Sequence, residues 1–422
     1  MSERKTRKLE EIVTRFIDYR GKTPTKTDSG VPLITAKIVK DGGLSPYTEY
    51  IADGSYYDWM TRGIPEKNDV IITTEAPLGE VALMPEGQVA LAQRIIVMHT
   101  NPEECDSIYL KYFLQWEVGK QCVLNKQSGS TVFGIRSAEL KKAQVTIHAN
   151  TDEQKRIAFL LHTIDEKIAL NRRLNDNLEA MAQAIYDYWF VQFDFPDENG
   201  KPYKSSGGKM VWNEVLKREI PEGWTTETVG EITMCHDSRR IPLSGKERES
   251  MQGDIPYYGA TGIFGYVNRH IFDGDFVLLA EDGSVMNDKG RPIVQRVSGK
   301  VWINNHAHVL QPIKEHGCKL LMMILSEIPV EKIKTGSIQA KINQANLNAY
   351  NLVKIPRFLI SRMNKILDEI DSRILAIARE ISTLTKQRDF LLPLLMNGQV
   401  QVKPQGVNYH FMEYQNPPLE AV

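Results

Sequence analysis

An α+β fold built by tandem duplication is what the sequence predicts: a mixed α/β unit followed by a long helix, written twice along 422 residues. Three observations carry this. Blocks of sequence recur in one order about 206 residues apart, each copy holds short β-type runs, and each copy closes on a heptad-spaced apolar stripe.

The recurrence has three main anchors. Asp69-Val70-Ile71-Ile72-Thr73-Thr74-Glu75 returns as Asp275-Phe276-Val277-Leu278-Leu279-Ala280-Glu281. Ser128-Gly129-Ser130, with Ile135 and Leu140, returns as Thr335-Gly336-Ser337, with Ile342 and Leu347. Ile164-Asp165-Glu166-Lys167-Ile168 returns as Ile370-Asp371-Ser372-Arg373-Ile374. Two weaker anchors fit with small gaps: Val31 to Ile34 with Ile255 to Tyr258, and Gln93-Arg94 with Asn305-His306.

The elements follow in order. Strands are expected at Val70 to Thr73 and Ile95 to Met98, and again at Val277 to Leu279 and Val301 to Ile303, each broken by Gly, Pro, Asn or Asp. The first long helix has its seam at Ile157, Leu161, Ile164 and Ile168, then Asn171 and Asn175, then Leu178, Ala182, Ile185 and Trp189. The second runs through Met363, Leu367, Ile370, Ile374, Ile377, Ile381, Leu384, Arg388, Leu391 and Leu395, between Pro356 and the pair Pro393 and Gly398. This 4-3 spacing is the seam of a coiled coil, and packing the two seams on each other buries both. A helix of about 40 residues is about 60 Å long, long enough to act as a spacer. Asp197 to Pro202 and Ser205 to Gly208 read as a linker, and the chain after Val402 as a loosely ordered tail.

Composition narrows the class. An apolar fraction of 42% with 25% charged residues suits a globular protein with substantial cores. No apolar run reaches the roughly 18 residues of a membrane span, and the lack of a disulfide pattern makes a reducing cytoplasm the expected setting. Cys105, Cys122, Cys235 and Cys318 stand far apart without a Cys-x-x-Cys pair, and are expected as small buried apolar residues. The net charge of −1 speaks, alone, against a nucleic-acid binder.

No catalytic constellation is legible. Gly245-Lys246 and Gly208-Lys209 lack the rest of a phosphate loop, and Gly259 to Gly265 lacks a strand–turn–helix setting. His306-Ala307-His308 suggests a metal pair, but no nearby carboxylate or cysteine set completes it, so no metal site is assigned. Asn416-Pro417-Pro418-Leu419 lacks the aromatic that would stack on a flipped base.

Donor-rich loops do recur. Lys126 to Thr131 answers Lys334 to Lys341, and Tyr19 to Lys26 answers Ser238 to Pro242. Glycine amides, hydroxyls and Lys suit phosphates, whereas Gln and Asn suit base edges. Each loop taken singly also fits an ordinary solvated turn. Recurrence in both copies favours function, because unselected loops drift first.

With the duplication, the seams and these loops together, the chain resembles the specificity (S) subunit of a type I restriction–modification enzyme. The resemblance spans about residues 6 to 400. It rests on Asp18 to Pro24, Tyr186 to Phe193, Ile220 to Trp224, Ile255 to Gly262, Ser298 to Ala307 and Leu391 to Gly398. It implies target-recognition domains at 1–150 and 220–356, helical spacers at 151–195 and 357–400, a linker at 196–219 and a tail at 401–422. Each recognition domain would read one half of a split double-stranded DNA site. The helices would set the gap and dock two modification (methyltransferase) subunits, to which restriction (motor nuclease) subunits join. S-adenosylmethionine, ATP and magnesium would belong to those partners, with no cofactor and no catalytic residue on this chain.

The loops are placed as DNA contacts on this basis. In the first copy they hold Arg20, Lys22, Thr23, Lys37, Gln93, Arg94, Lys126, Ser128, Gly129 and Ser130. In the second they hold Arg239, Arg240, Thr261, Lys300, Asn304, Asn305, His306, Lys334, Thr335, Gly336, Ser337, Gln339 and Lys341. Arg20, Lys300 and Lys334 are the phosphate candidates; Gln93, Asn305 and Gln339 are the base-reading ones. A coiled-coil scaffold joining two proteins without DNA is the alternative, and aromatic-rich loop tips would mark it.

Overall fold

The computed structural model describes residues 3–127, 133–336 and 340–403. The chain divides into two compact units, one formed by residues 1–170 with 381–422, the other by residues 171–380.

In the first unit, strand Arg4–Lys8 pairs antiparallel with Gln144–His148. A four-stranded antiparallel sheet follows in the order Val13–Asp18, Ile95–Thr100, Val70–Thr74, Leu78–Leu83. Its side chains alternate between two cores, as the two-residue period of a strand requires. Val70, Ile72, Ile96 and Met98 face helix Ser107–Gln115 with Ile157, Leu161, Leu392, Leu395 and Met396. Ile71, Ile95 and Val97 face Leu33, Ile34, Tyr56 and Met60. Burial on both faces is why these strands read as unbroken apolar runs. Val31–Ile34 lies antiparallel to Tyr50–Ile51 and parallel to Ala90–Leu91.

The second unit repeats the plan. Thr225–Thr228 pairs with Asn351–Lys354. The sheet runs Thr233–Cys235, Ala307–Pro312, Phe272–Ala280, Val294–Ile303, Ile255–Tyr258, Ile263–Val267. Val277 and Leu279 face helix Cys318–Ser326, while Phe276 and Leu278 face Val297, Val301 and Ile303. Tyr257 and Tyr258 lie parallel to Trp302 and Ile303, as Leu33 and Ile34 lie parallel to Ala90 and Leu91. The weak anchor at Val31 and Ile255 therefore marks a true structural equivalence. What the first copy splits into two strands, the second runs as one strand, Val294–Ile303.

The central helix spans Thr151–Tyr186 and ends in a π-helical turn, Asp187–Val191. The C-terminal helix spans Arg357–Met396 and continues through Pro393, the residue at which the sequence pattern predicts its end. Burial of Leu392, Leu395 and Met396 holds this last turn, and Gly398, at φ 76°, supplies the left-handed cap. Within the first unit, Asp165 of the central helix meets Arg388 of the other at 2.9 Å, and Ile157 and Leu161 share a core with Leu392 and Leu395. Within the second, Asn171 donates to Glu380 at 3.0 Å, while Leu178 and Ala182 pack with Met363, Leu367 and Ile370. In each unit the two helices run antiparallel along their heptad seams.

The stretch expected as a linker is ordered. Phe195 stacks between Tyr203 (4.8 Å) and Trp224 (5.0 Å), and Met210–Asn213 forms a hairpin with Arg218–Pro221. The aromatic sandwich supplies the buried area that the Gly- and Ser-rich composition concealed.

Candidate nucleic-acid interface

Loops distant in sequence converge at one edge of the second unit's sheet. The Gly259 N–H donates to Gly262 O, and the Asn304 N–H donates to Tyr258 O. Gln295 Nε2 reaches the carbonyls of Gly259 and Ala260 at 3.1 and 2.8 Å. The Glu281 N–H donates to His306 O, and the Ile342 N–H donates to Glu281 O. Thr261, Asn304 to His306, Glu281 and Lys341 thus share one edge.

Glu281 organises this edge. Arg240 lies 2.6 Å and Lys341 3.0 Å from its carboxylate. Burial alone would raise the Glu281 carboxyl, but Arg240, Lys341 and His308 outweigh it and hold it below the usual carboxylate range. Behind it, His308 faces Asp237 at 2.5 Å through Nδ1 and the Ile342 carbonyl at 2.9 Å through Nε2. Asp237 also accepts from the Val309 N–H at 2.9 Å. Burial opposes ionisation of Asp237, yet His308, Val309 and Cys235 keep its carboxyl below the ordinary value.

Several residues expected at the DNA-contacting surface turn inward. Arg240, placed among the DNA contacts, is only 12% exposed and donates inward to the carbonyls of Asn305 and Ala307. Its geometry makes it a positioning residue for the loop. Asn304 is buried, and its Oδ1 accepts from the His306 N–H at 2.8 Å, so it shapes the turn. His306 and His308 do not act as a pair, because His306 turns to Asp282 (2.5 Å) and His308 to Asp237. A carboxylate and a cysteine do complete a set around His308: possible ligand atoms of Cys235, Asp237 and His308 lie within 4.8 Å of one another. They come from about 70 residues earlier, which spacing along the chain could not reveal. The set fits a cation poorly. Arg240 stands 3.4 Å from Asp237, and burial pushes the Cys235 thiol up to about 12. Of the four cysteines, Cys105 is buried and the other three are half-buried.

The first unit builds a comparable edge. Arg20 donates to the Ile135 carbonyl. The Ile135 N–H donates to Thr74 O and the Thr74 N–H to Arg94 O. Glu75 lies 3.6 Å from Arg94. Arg62, absent from the sequence reading, donates to the carbonyls of Asp18 and Arg20, both at 2.9 Å, and so fixes the Arg20 loop. Lys22, Thr23, Lys37 and Arg94 are exposed, and Gln93 and Lys126 half-buried.

Elsewhere in the second unit, Lys300, Arg239, Thr261, Asn305, Thr335, Gly336 and Lys341 are exposed. Lys334 pairs with Glu331, and Thr335 donates to Lys341 O at 3.1 Å. Ser128, Gly129, Ser130, Ser337 and Gln339 lie outside the described residues.

Two copies of one unit, each with hydrogen-bonded donor-rich loops gathered at its sheet, define a duplicated mixed α/β protein. The profile described as "Type I restriction modification DNA specificity domain" matches residues 1–180 and 221–386, and the chain belongs to that family. The Type I restriction enzyme MjaIX specificity subunit of Methanocaldococcus jannaschii is 24% identical over 357 residues, covering 80% of this chain and 78% of that one. A putative type I restriction enzyme specificity subunit of Haemophilus influenzae is 31% identical over 163 residues, 38% of this chain and 41% of that one. The crystal structure of a type I restriction–modification S subunit from M. genitalium shares the fold, with a TM-score of 0.60 at 18% identity, covering 94% of this chain and 96% of that one.

Proposed function

We propose that the chain reads a split DNA target, one half-site through each unit, and docks the methyltransferase subunits of a type I restriction–modification complex through its long helices. The duplication carries this reading: two recognition edges of one design call for two half-sites. The helices, 36 and 40 residues long, measure about 54 and 60 Å. Half-sites on one face of B-DNA lie about 34 Å apart, a distance such helices can bridge. Restriction subunits join through the methyltransferase subunits, and S-adenosylmethionine, ATP and magnesium are held by those partners.

An apolar stripe on the central helix supports docking. Within the second unit, Leu174 and Met181 are 45% and 48% exposed. Their spacing of seven residues places them on one face of a 3.6-residue helix, away from the seam. Co-purification of the full-length chain with its modification subunit tests this. Leu174→Glu with Met181→Glu is expected to abolish the complex and leave the melting temperature of the isolated chain within a few degrees. Undiminished co-purification would remove the stripe from the docking surface.

A further inference from the structure

We propose that arginine and aromatic side chains on the second unit, reaching from the recurring loop at Arg239 to residues outside the recurring loops, form an additional DNA-contact surface. Arg239, Arg248 and Arg269 would take backbone phosphates, and Phe264 would pack against an exposed sugar or base edge. The inference rests on the DNA-reading function proposed above and adds Arg248 and Arg269, which neither the repeat nor the sequence motifs single out.

Arg248 and Arg269 lie against a small core of Tyr257, Val267 and Trp302, while Arg239 stacks on Phe272 of the neighbouring core. Each arginine lies over a ring: Arg239 4.6 Å from Phe272, Arg248 4.7 Å from Phe264, and Arg269 5.5 Å from Trp302. Tyr257 adds a second ring 5.6 Å from Arg248. Further bonds fix the segments that carry them. Trp302 Nε1 donates to Ile241 O at 2.7 Å, the Leu243 N–H to Tyr257 Oη at 3.2 Å, and Arg239 to Ile271 O at 3.1 Å.

Stacking occupies the face of a guanidinium and leaves its in-plane N–H groups pointing outward, which is the geometry that phosphate oxygens need. None of the three arginines has a carboxylate partner among the described residues, whereas Arg240, Lys334 and Lys341 of the recurring loops are neutralised by Glu281 or Glu331. The nearby Glu247 is turned to its own helix start, where it accepts from Ser244. Unneutralised cations held ready in this way suit a polyanion better than a protein surface. Phe264 stands 66% exposed at the bulge of the hairpin Ile255–Tyr258/Ile263–Val267, next to its Gly259–Gly262 turn. Apolar side chains in such positions pack into grooves and against base steps.

The test is fluorescence anisotropy of the full-length chain on a labelled duplex of randomised sequence, across a salt series. Arg248→Ala and Arg269→Ala are each expected to weaken binding several-fold and reduce the salt slope by about one. Phe264→Ala should weaken binding with the slope unchanged, and Phe264→Trp should restore it. Far-UV circular dichroism confirms that the variants fold. Parental affinity and slope in the Arg248→Ala/Arg269→Ala double variant would overturn this surface while leaving DNA reading intact. A parent chain that binds no duplex would overturn both.

Discussion

Asp165 and Asp371 occupy the same place in the two copies, and each ties its mixed domain to a helix. Asp165 receives Lys111 (3.1 Å), Tyr112 (2.6 Å) and Arg388 (2.9 Å). Asp371 receives Arg296 at 2.9 Å. Lys111 is only 3% exposed, so Asp165→Asn strands a buried cation and is expected to cost about 3–5 kcal/mol, read from urea denaturation. Burial would raise the Asp165 carboxyl, but Lys111, Arg388 and Tyr112 outweigh it and lower it. A lowered folded value means that this stabilisation is complete above the unfolded value of about 3.9 and is lost as pH falls through the folded one. Acid unfolding of Asp165→Asn should therefore be less steep below about pH 4 than that of the parent. The recurrence of Ile-Asp in both copies was visible in the sequence, but Lys111 and Arg388, 54 and 223 residues away, were not. The phosphate candidates also separate at this scale. Lys300 is exposed without a carboxylate partner among the described residues, whereas Lys334 is held by Glu331. Lys300→Ala should flatten the salt dependence of DNA binding by about one unit of slope, and Lys334→Ala by less. Equal slopes for parent and Lys300→Ala would remove Lys300 from the phosphate contacts.

The long helices were the most legible elements, because a 4-3 apolar period survives without knowledge of the partner. Seam residues Ile157, Leu161, Ile168, Leu178, Met363, Leu367 and Ile370 are buried, while Ile374, Ile377, Ile381 and Leu384 are half-buried, as a two-helix contact allows. The strand ends were harder. Leu78–Leu83 and Ile263–Val267 carry Gly, Glu or Tyr where alternation would mark a strand, and pairing with neighbours decides their state. Phe264 gave no signal of its own, since its exposure depends on the hairpin that presents it. If the helices set the gap, inserting one heptad at matched positions in both should lengthen it by about three base pairs, since seven residues add about 10.5 Å against 3.4 Å per base pair. Methylation mapping of that variant checks the prediction. An unchanged gap, or altered half-sites, would count against a helical ruler.

At the scale of the whole chain, the net charge of −1 describes neither recognition edge. Arg94, Arg240, Lys341 and Lys334 are paired with Glu75, Glu281 and Glu331, while Lys22, Lys37, Lys300, Arg239, Arg248 and Arg269 have no carboxylate partner among the described residues. The sum hides this segregation, as it hides that 422 residues are one design used twice. The claim that the two copies read two half-sites is tested most directly by methylome sequencing of a host that carries this gene with its modification and restriction partners. A single methylated motif of two short specific segments separated by a fixed unspecified gap is the predicted result. A continuous motif, or a methylation pattern indifferent to replacement of the second recognition unit, would contradict it.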